Sequence, residues 1–148
     1  MPRAYQVQDK YFQMAKDKGY RARSTFKLLE IQEKFHILRR GASVVDLGAA
    51  PGSFMQVIAE IVGPEGKIIG FDLQKIDGFP QKNISTYVTD IFEMDEVLKH
   101  IPEKVDVVTS DIAPNTSGIK DLDTGRSFDL AEQAFFIACK ILKPGGSF

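Results

Sequence analysis

The chain of 148 residues contains a single cysteine. Cys139 therefore has no partner for an internal disulfide, and its neighbours Phe135, Phe136, Ala138 and Leu142 predict a buried thiol on a core helix. No stretch approaches the ~20 apolar residues of a membrane span. The first residues, MPRAYQVQDKYF, lack an apolar h-region, and the expectation is a cytoplasmic protein. There is no internal repeat and no low-complexity segment. The two histidines, His36 and His100, stand outside any cysteine or acid pattern with metal-ligand spacing, so they read as structural and no metal is expected. Also absent is the Gly-x-Gly-x-x-Gly loop that admits a dinucleotide pyrophosphate.

What remains is the composition of one globular domain with a proper core, 43% hydrophobic and 26% charged. The formal net charge is −1, yet the charges are unevenly shared. Residues 1–40 carry ten bases against four acids, a net of +6, and residues 41–148 carry nine bases against sixteen acids, a net of −7. The chain thus reads as a basic helical arm, 1–40, on an acidic body, 41–148. A polyanionic partner such as RNA suits the arm, with Arg21, Arg23 and Lys34 as candidate phosphate contacts. Tyr5, Tyr11, Phe12 and Tyr20 are interleaved as candidate stacking groups. Taken alone, a charge run of this kind is equally the solvated face of an amphipathic segment.

Downstream of the arm, strand-like and helix-like patterns alternate. Helices are expected over Lys10 to Lys18, Arg23 to Lys34 (with Phe26, Leu29 and Ile31 turned inward), Pro51 to Ile61, Glu93 to His100 and Phe128 to Leu142. Strands are expected over Ser43 to Leu47, Lys67 to Leu73, Ile84 to Thr89 and Val105 to Ser110. Such alternation implies an α/β fold with a parallel sheet and right-handed crossovers.

The stretch Asp46-Leu47-Gly48-Ala49-Ala50-Pro51-Gly52 follows the apolar run Ala42 to Val45 and reads as strand, glycine turn and helix start. Glycine serves where a Cβ would block a ligand, and proline suits a first helical position that needs no N–H donor. The Gly-x-x-x-Gly spacing, with an acid two residues ahead, favours S-adenosylmethionine over NAD, although the loop taken alone is equally a plain strand–helix turn. Its carboxylate suits the helix amino terminus, and Asp46 would attract its ammonium group. Ligands of open parallel sheets bind outside the carboxyl ends of the strands, and an acid stands at each of these: Asp46, Asp72, Asp90 and Asp111. Asp72 is placed to bind the adenosine ribose and Asp90 to accept from the adenine amino group. Singly, each acid is an ordinary cap or turn former. Four in register point to a site.

Four blocks carry a more specific resemblance: DKYFQMAKDKGYRARSTFKLLEIQEKFHIL over Asp9 to Leu38, VVDLGAAPGSFMQV, SDIAPNTSG and ILKPGGSF. In this order they resemble the FtsJ/RrmJ family of ribosomal RNA ribose 2′-O-methyltransferases. The resemblance implies a Rossmann-like sheet, S-adenosylmethionine as cofactor, and a uridine ribose of large-subunit ribosomal RNA as substrate. Relatives act on transfer RNA or messenger caps. Of the family's Lys-Asp-Lys-Glu catalytic set, the resemblance places the first lysine at Lys27 and the aspartate at Asp111. It also implies cofactor contacts at Gly52, Phe54, Asp72, Asp90 and Asp111, beside Gly48, which the glycine loop itself offers. Ser53-Phe54 stands where the bacterial pattern reads Gly-Trp, which keeps an aromatic and loses the indole donor.

A ribose hydroxyl must lose its proton as it attacks a sulfonium methyl, and a lysine of lowered pKa can take it. In the family that base is the second lysine, with Lys27 and Asp111 orienting it and the ribose. The second lysine and the glutamate have no counterpart before Phe148. The expectation is a sheet whose carboxyl-terminal strands are missing, with Val105 to Ser110 left as an edge and activity impaired. Two other functions compete. Adenine amino-methyltransferases favour Asp/Asn-Pro-Pro-aromatic, which Asp111-Ile112-Ala113-Pro114 does not fit. A non-catalytic module holding RNA and cofactor is the other.

Overall fold

The computed structural model describes residues 13–112 and 117–148. Of the expected features, Tyr5, Tyr11 and Phe12, the start of the first helix, and Ala113 to Thr116 of the SDIAPNTSG block lie outside the described residues.

A helix, α1, is described over residues 13–17, followed by α2 (Thr25–Phe35). The body then runs β1 (Ser43–Leu47), α3 (Ser53–Val62), β2 (Lys67–Asp72), β3 (Ile84–Val88), α4 (Met94–Lys99), β4 (Val105–Ser110), α5 (Lys120–Ile141) and β5 (Leu142–Ser147). The strands form one parallel sheet in the order β3-β2-β1-β4-β5. Strand order reverses at β1, which pairs with β2 on one side and β4 on the other, and a crevice at the carboxyl ends of the strands is the consequence.

Both faces of the sheet are covered, which explains why the central strands read as unbroken apolar runs. Val44, Ile68 and Val107 pack with Leu28 of α2 and Met55 and Ile58 of α3. Val45, Leu47, Ile69, Phe71 and Val108 pack with Val97 of α4 and Ala134, Ile137 and Ile141 of α5. The basic arm is anchored to the body, since Leu28 and Leu38 are buried in the first of these clusters. Polar staples continue the anchoring along α3. Tyr20 Oη donates to Glu60 (3.1 Å), the Arg21 backbone N–H donates to Gln56 Oε1 (2.8 Å), and the Ser24 and Ser53 hydroxyls lie 2.8 Å apart.

Four sequence expectations are corrected. Cys139 is exposed: the buried stripe of α5 is Ala134, Ile137, Ala138 and Ile141, and position 139 falls off that stripe with Phe135 and Phe136. In α2 the fully buried apolar residue is Leu28; Leu29 packs against the same cluster as expected, whereas Phe26 and Ile31 are half-exposed. Helix α5 begins at Lys120 rather than at Phe128. Its first turns are exposed and have no apolar period; Asp121 and Asp123 suit the helix amino end, and the Ser117 N–H and hydroxyl both donate to Asp123 Oδ1 (2.8 and 2.6 Å). Finally, β4 is not an edge. Leu142-Lys143-Pro144-Gly145-Gly146-Ser147 forms β5 and pairs with it, Val105 opposite Leu142 and Val107 opposite Ser147, with an irregularity between. Pro144 has no N–H for a ladder and is tolerated because β5 is itself the edge strand.

Candidate active site

The turn after β1 fixes the centre of the crevice. Gly48 and Ala49 donate their N–H groups to Phe71 O at 2.8 and 2.9 Å, so the glycine loop is fastened to the end of β2. Gly48 has φ +73°, and a Cβ there would lie 2.8 Å from Ile112 Cβ and 3.0 Å from its Cα. Glycine is required at this position on both counts. The Ala50–Pro51 peptide is cis, and Gly52 with φ +112° caps α3, so Pro51 precedes the helix instead of opening it.

An open cleft of about 690 Å³ lies beside this turn. Its walls include Gly48, Asp72, Asp90 and Asp111 from the expected site, together with Leu73, Phe92, Ile112 and, from α5, Arg126 and Asp129. Asp72 bridges two loops: Oδ2 accepts from Ala50 N–H at 3.0 Å and Oδ1 from Gln74 N–H at 2.8 Å. A carboxylate offers about four lone-pair sites, so acceptor capacity toward the cleft remains. Asp90 Oδ1 accepts from Phe92 N–H at 2.9 Å, and Oδ2 has no partner among the described residues. At the rim, Lys27 Nζ donates to Asp111 Oδ1 at 2.8 Å, with side-chain exposures of 59% and 35%. Eighty-four positions separate these residues in sequence, and only the packing of α2 on α3, which brings Lys27 to the end of β4, joins them.

Three expected cofactor contacts lie elsewhere. Asp46, expected to attract an ammonium group, is 1% exposed and does not line the cleft, its carboxylate lying under the turn. Its Oδ1 accepts from Thr109 Oγ1 at 2.8 Å, its Oδ2 is unpartnered, and the pair stand opposite each other in the β1–β4 register. Burial pushes the Asp46 carboxyl up to about 7; the Thr109 hydrogen bond opposes the shift, and the charges of Asp111 and Asp72 add to it. Phe54, 6% exposed, packs in the α3 core cluster, and Gly52 is buried beside Phe79 and Arg21. Neither lines the cleft.

The candidate phosphate contacts differ among themselves. Arg23 and Lys34 are exposed. Arg21 is turned inward: Nη1 donates to Pro51 O (3.0 Å) and Asp77 O (2.7 Å), Nη2 to Gly78 O (2.6 Å), and the guanidinium stacks 3.9 Å from the Phe79 ring centroid. Tyr20, a candidate stacking group, is held by Glu60, and burial and that carboxylate raise its pKa. His36 terminates α2 in the left-handed region, and His100 stacks on Tyr87 at 3.7 Å. Among the described residues no cluster of three metal-ligand side chains occurs, and no helix is long and apolar enough to cross a membrane.

Sequence reasoning missed Leu73, Phe92 and Arg126. The first two are 70% and 52% exposed, and apolar side chains following strand-end acids were the available signal. Arg126 had none, because it sits in the part of α5 that shows no apolar period.

The FtsJ-like methyltransferase family matches residues 20–148, from the arm through β5. The chain belongs to that family. Ribosomal RNA large subunit methyltransferase E of Desulforapulum autotrophicum is 45% identical over 148 residues, covering 99% of this chain and 73% of that protein. The protein of the same name from Methanothrix thermoacetophila is 48% identical over 143 residues, covering 95% of this chain and 54% of its own length. The FtsJ-like chain thus spans between about half and three quarters of such relatives. Among solved structures, a protein described as a ribosomal RNA methyltransferase from Plasmodium falciparum superposes with a TM-score of 0.71 at 30% identity, over 86% of this chain and 75% of that one.

Proposed function

We propose that this FtsJ-like chain methylates the ribose 2′-hydroxyl of RNA with S-adenosylmethionine, its substrate being a uridine of large-subunit ribosomal RNA in the cytoplasm. The observation that carries the reading is the Lys27–Asp111 pair, 2.8 Å apart on the rim of a cleft lined by Asp72 and Asp90. The residues present fit an adenosine-bearing cation. Asp72 offers acceptors for ribose hydroxyls, Asp90 Oδ2 suits an exocyclic amino group, Leu73 and Phe92 supply apolar surface for a flat base, and four carboxylates against the one guanidinium of Arg126 favour positive charge. Bound there, S-adenosylmethionine supplies an electrophilic methyl group on sulfur. Asp111 serves to hold the Lys27 ammonium at the rim, where its remaining N–H donors orient a ribose oxygen. The carboxylate also favours the cationic side of the reacting pair. Arg23 and Lys34 supply sequence-independent phosphate contacts on the arm. The names of the relatives support ribosomal RNA as the target class.

The test is isothermal calorimetry with S-adenosylmethionine, followed by transfer of labelled methyl to large ribosomal subunits, transfer RNA and capped RNA. Cofactor binding is expected, with 2′-O-methyl product on subunits alone and formed slowly, since the chain lacks the family's second lysine to take the hydroxyl proton, and Asp111→Ala should abolish it. Label in transfer RNA or caps instead would overturn the substrate assignment, and no cofactor binding would overturn the reading as a whole.

A further inference from the structure

We propose that Arg21 is a positioning residue for the cofactor cleft and not a contact to RNA phosphate, an inference that rests on the function proposed above. The connection from β2 to β3, residues 73–83, contains no helix, although parallel crossovers are usually built on one. That connection begins with two cleft residues, Leu73 and Gln74, directly after Asp72. Its conformation needs another source of rigidity, and Arg21 provides it from the arm.

One planar guanidinium reaches three carbonyl oxygens on two loops: Pro51 in the glycine loop, and Asp77 and Gly78 in the β2–β3 connection. Phe79 closes the arrangement by stacking at 3.9 Å. Asp72 joins the same two loops through Ala50 and Gln74, so the loops on which the cleft is built are held together at two successive points. The backbone of Arg21 is itself fixed, because Gln56 accepts from its N–H at 2.8 Å and donates to Gly19 O at 3.2 Å. A lysine cannot replace this fork. Its single ammonium has no planar set of donors to span three carbonyls and no plane to stack on Phe79. Since Arg21 comes from the segment that bears Arg23 and Lys27, the staple also ties the RNA-facing arm to the cofactor loops.

Without the staple, cofactor binding has to order the 77–79 segment at its own cost, and the dissociation constant for S-adenosylmethionine should rise about tenfold. The experiment compares Arg21→Lys, Arg21→Ala and Arg23→Ala with the full 148-residue chain. It uses cofactor calorimetry, salt-dependent binding of a ribosomal RNA fragment and amide exchange at Gln74 without ligand. The expected result is the same tenfold loss of cofactor affinity in both Arg21 variants, faster exchange at Gln74, and a salt slope that only Arg23→Ala reduces. Unchanged cofactor affinity in both variants overturns the proposal. So does a salt slope lowered by Arg21→Ala and restored by Arg21→Lys, the signature of a phosphate contact. Should Arg21→Ala not fold, Phe79→Leu removes the stacking face alone and should give the same direction of change. If the unmutated chain binds no cofactor, the proposed function fails. Exchange at Gln74 then still decides the staple, unchanged exchange in Arg21→Lys counting against it.

Discussion

Asp46→Asn isolates the cost of a buried carboxylate, because the change removes a charge and nearly no volume. Asp46 is 1% exposed, Thr109 donates to Oδ1, and the folded-state pKa is about 7 against an ordinary 3.8. A carboxyl whose pKa is raised by folding holds its proton more tightly in the native state than in the unfolded chain. Stability from this group is therefore fully present below about pH 4 and declines as pH rises through 7. Each pH unit in that window is worth about 1.4 kcal/mol, so between about pH 5 and about pH 8 the native protein should lose on the order of 3 kcal/mol through Asp46 alone. The asparagine stays neutral and its Oδ1 still accepts from Thr109. Its amide leaves an unpartnered donor much as the protonated carboxyl does, so the two proteins should be close in stability at about pH 5. At about pH 8 the variant should be the more stable. Urea unfolding at the two pH values measures the difference directly, provided the m-value is unchanged. A stability difference between variant and parent that is the same at both pH values would refute the reasoning, since Asp46 would then not titrate between them.

Asp72→Ala should weaken S-adenosylmethionine binding by about 1.5–3 kcal/mol in calorimetry, the worth of a hydrogen bond to a charged group; full affinity would rule out Asp72 as the ribose acceptor. Lys27→Ala should leave thermal stability nearly untouched, about 1 kcal/mol or less, because the pair with Asp111 is exposed, while methyl transfer to ribosomal subunits collapses. Gly48→Ala should destabilise by about 1–3 kcal/mol in urea titrations, since a methyl at φ +73° would stand 2.8 Å from Ile112 Cβ. Arg23→Ala and Lys34→Ala should each lower the log–log salt slope of RNA binding by roughly 0.7 to 0.9, and slopes equal to that of the parent would remove them from the interface.

The alternation of patterns in the chain carried the α/β class and each of the first four strands to within a residue or so, because a parallel sheet covered on both faces demands continuous apolar runs such as Val44-Val45 and Ile68-Ile69. The strand-end acids were equally legible, since carboxyl ends of parallel strands face one crevice whatever the details of packing. Local sequence could also mark Lys27 and Asp111 separately, through the blocks that contain them. Their meeting was decided by the tertiary structure, which packs α2 on α3, brings Lys27 to the end of β4 and closes a gap of eighty-four positions to 2.8 Å. Direction and depth of side chains were likewise beyond the sequence. Asp46 and Asp72 are both strand-end acids, yet one is sealed under the glycine turn against Thr109 and the other lines the cleft, because adjacent strands and the turn above them set which carboxylate meets solvent. Arg21 and Arg23 stand two residues apart in one basic run, and only the loop carbonyls of Pro51, Asp77 and Gly78 make the first an internal staple while the second remains exposed. Charge and periodicity are properties of a segment, whereas burial and partnership belong to the surfaces that distant segments present to it.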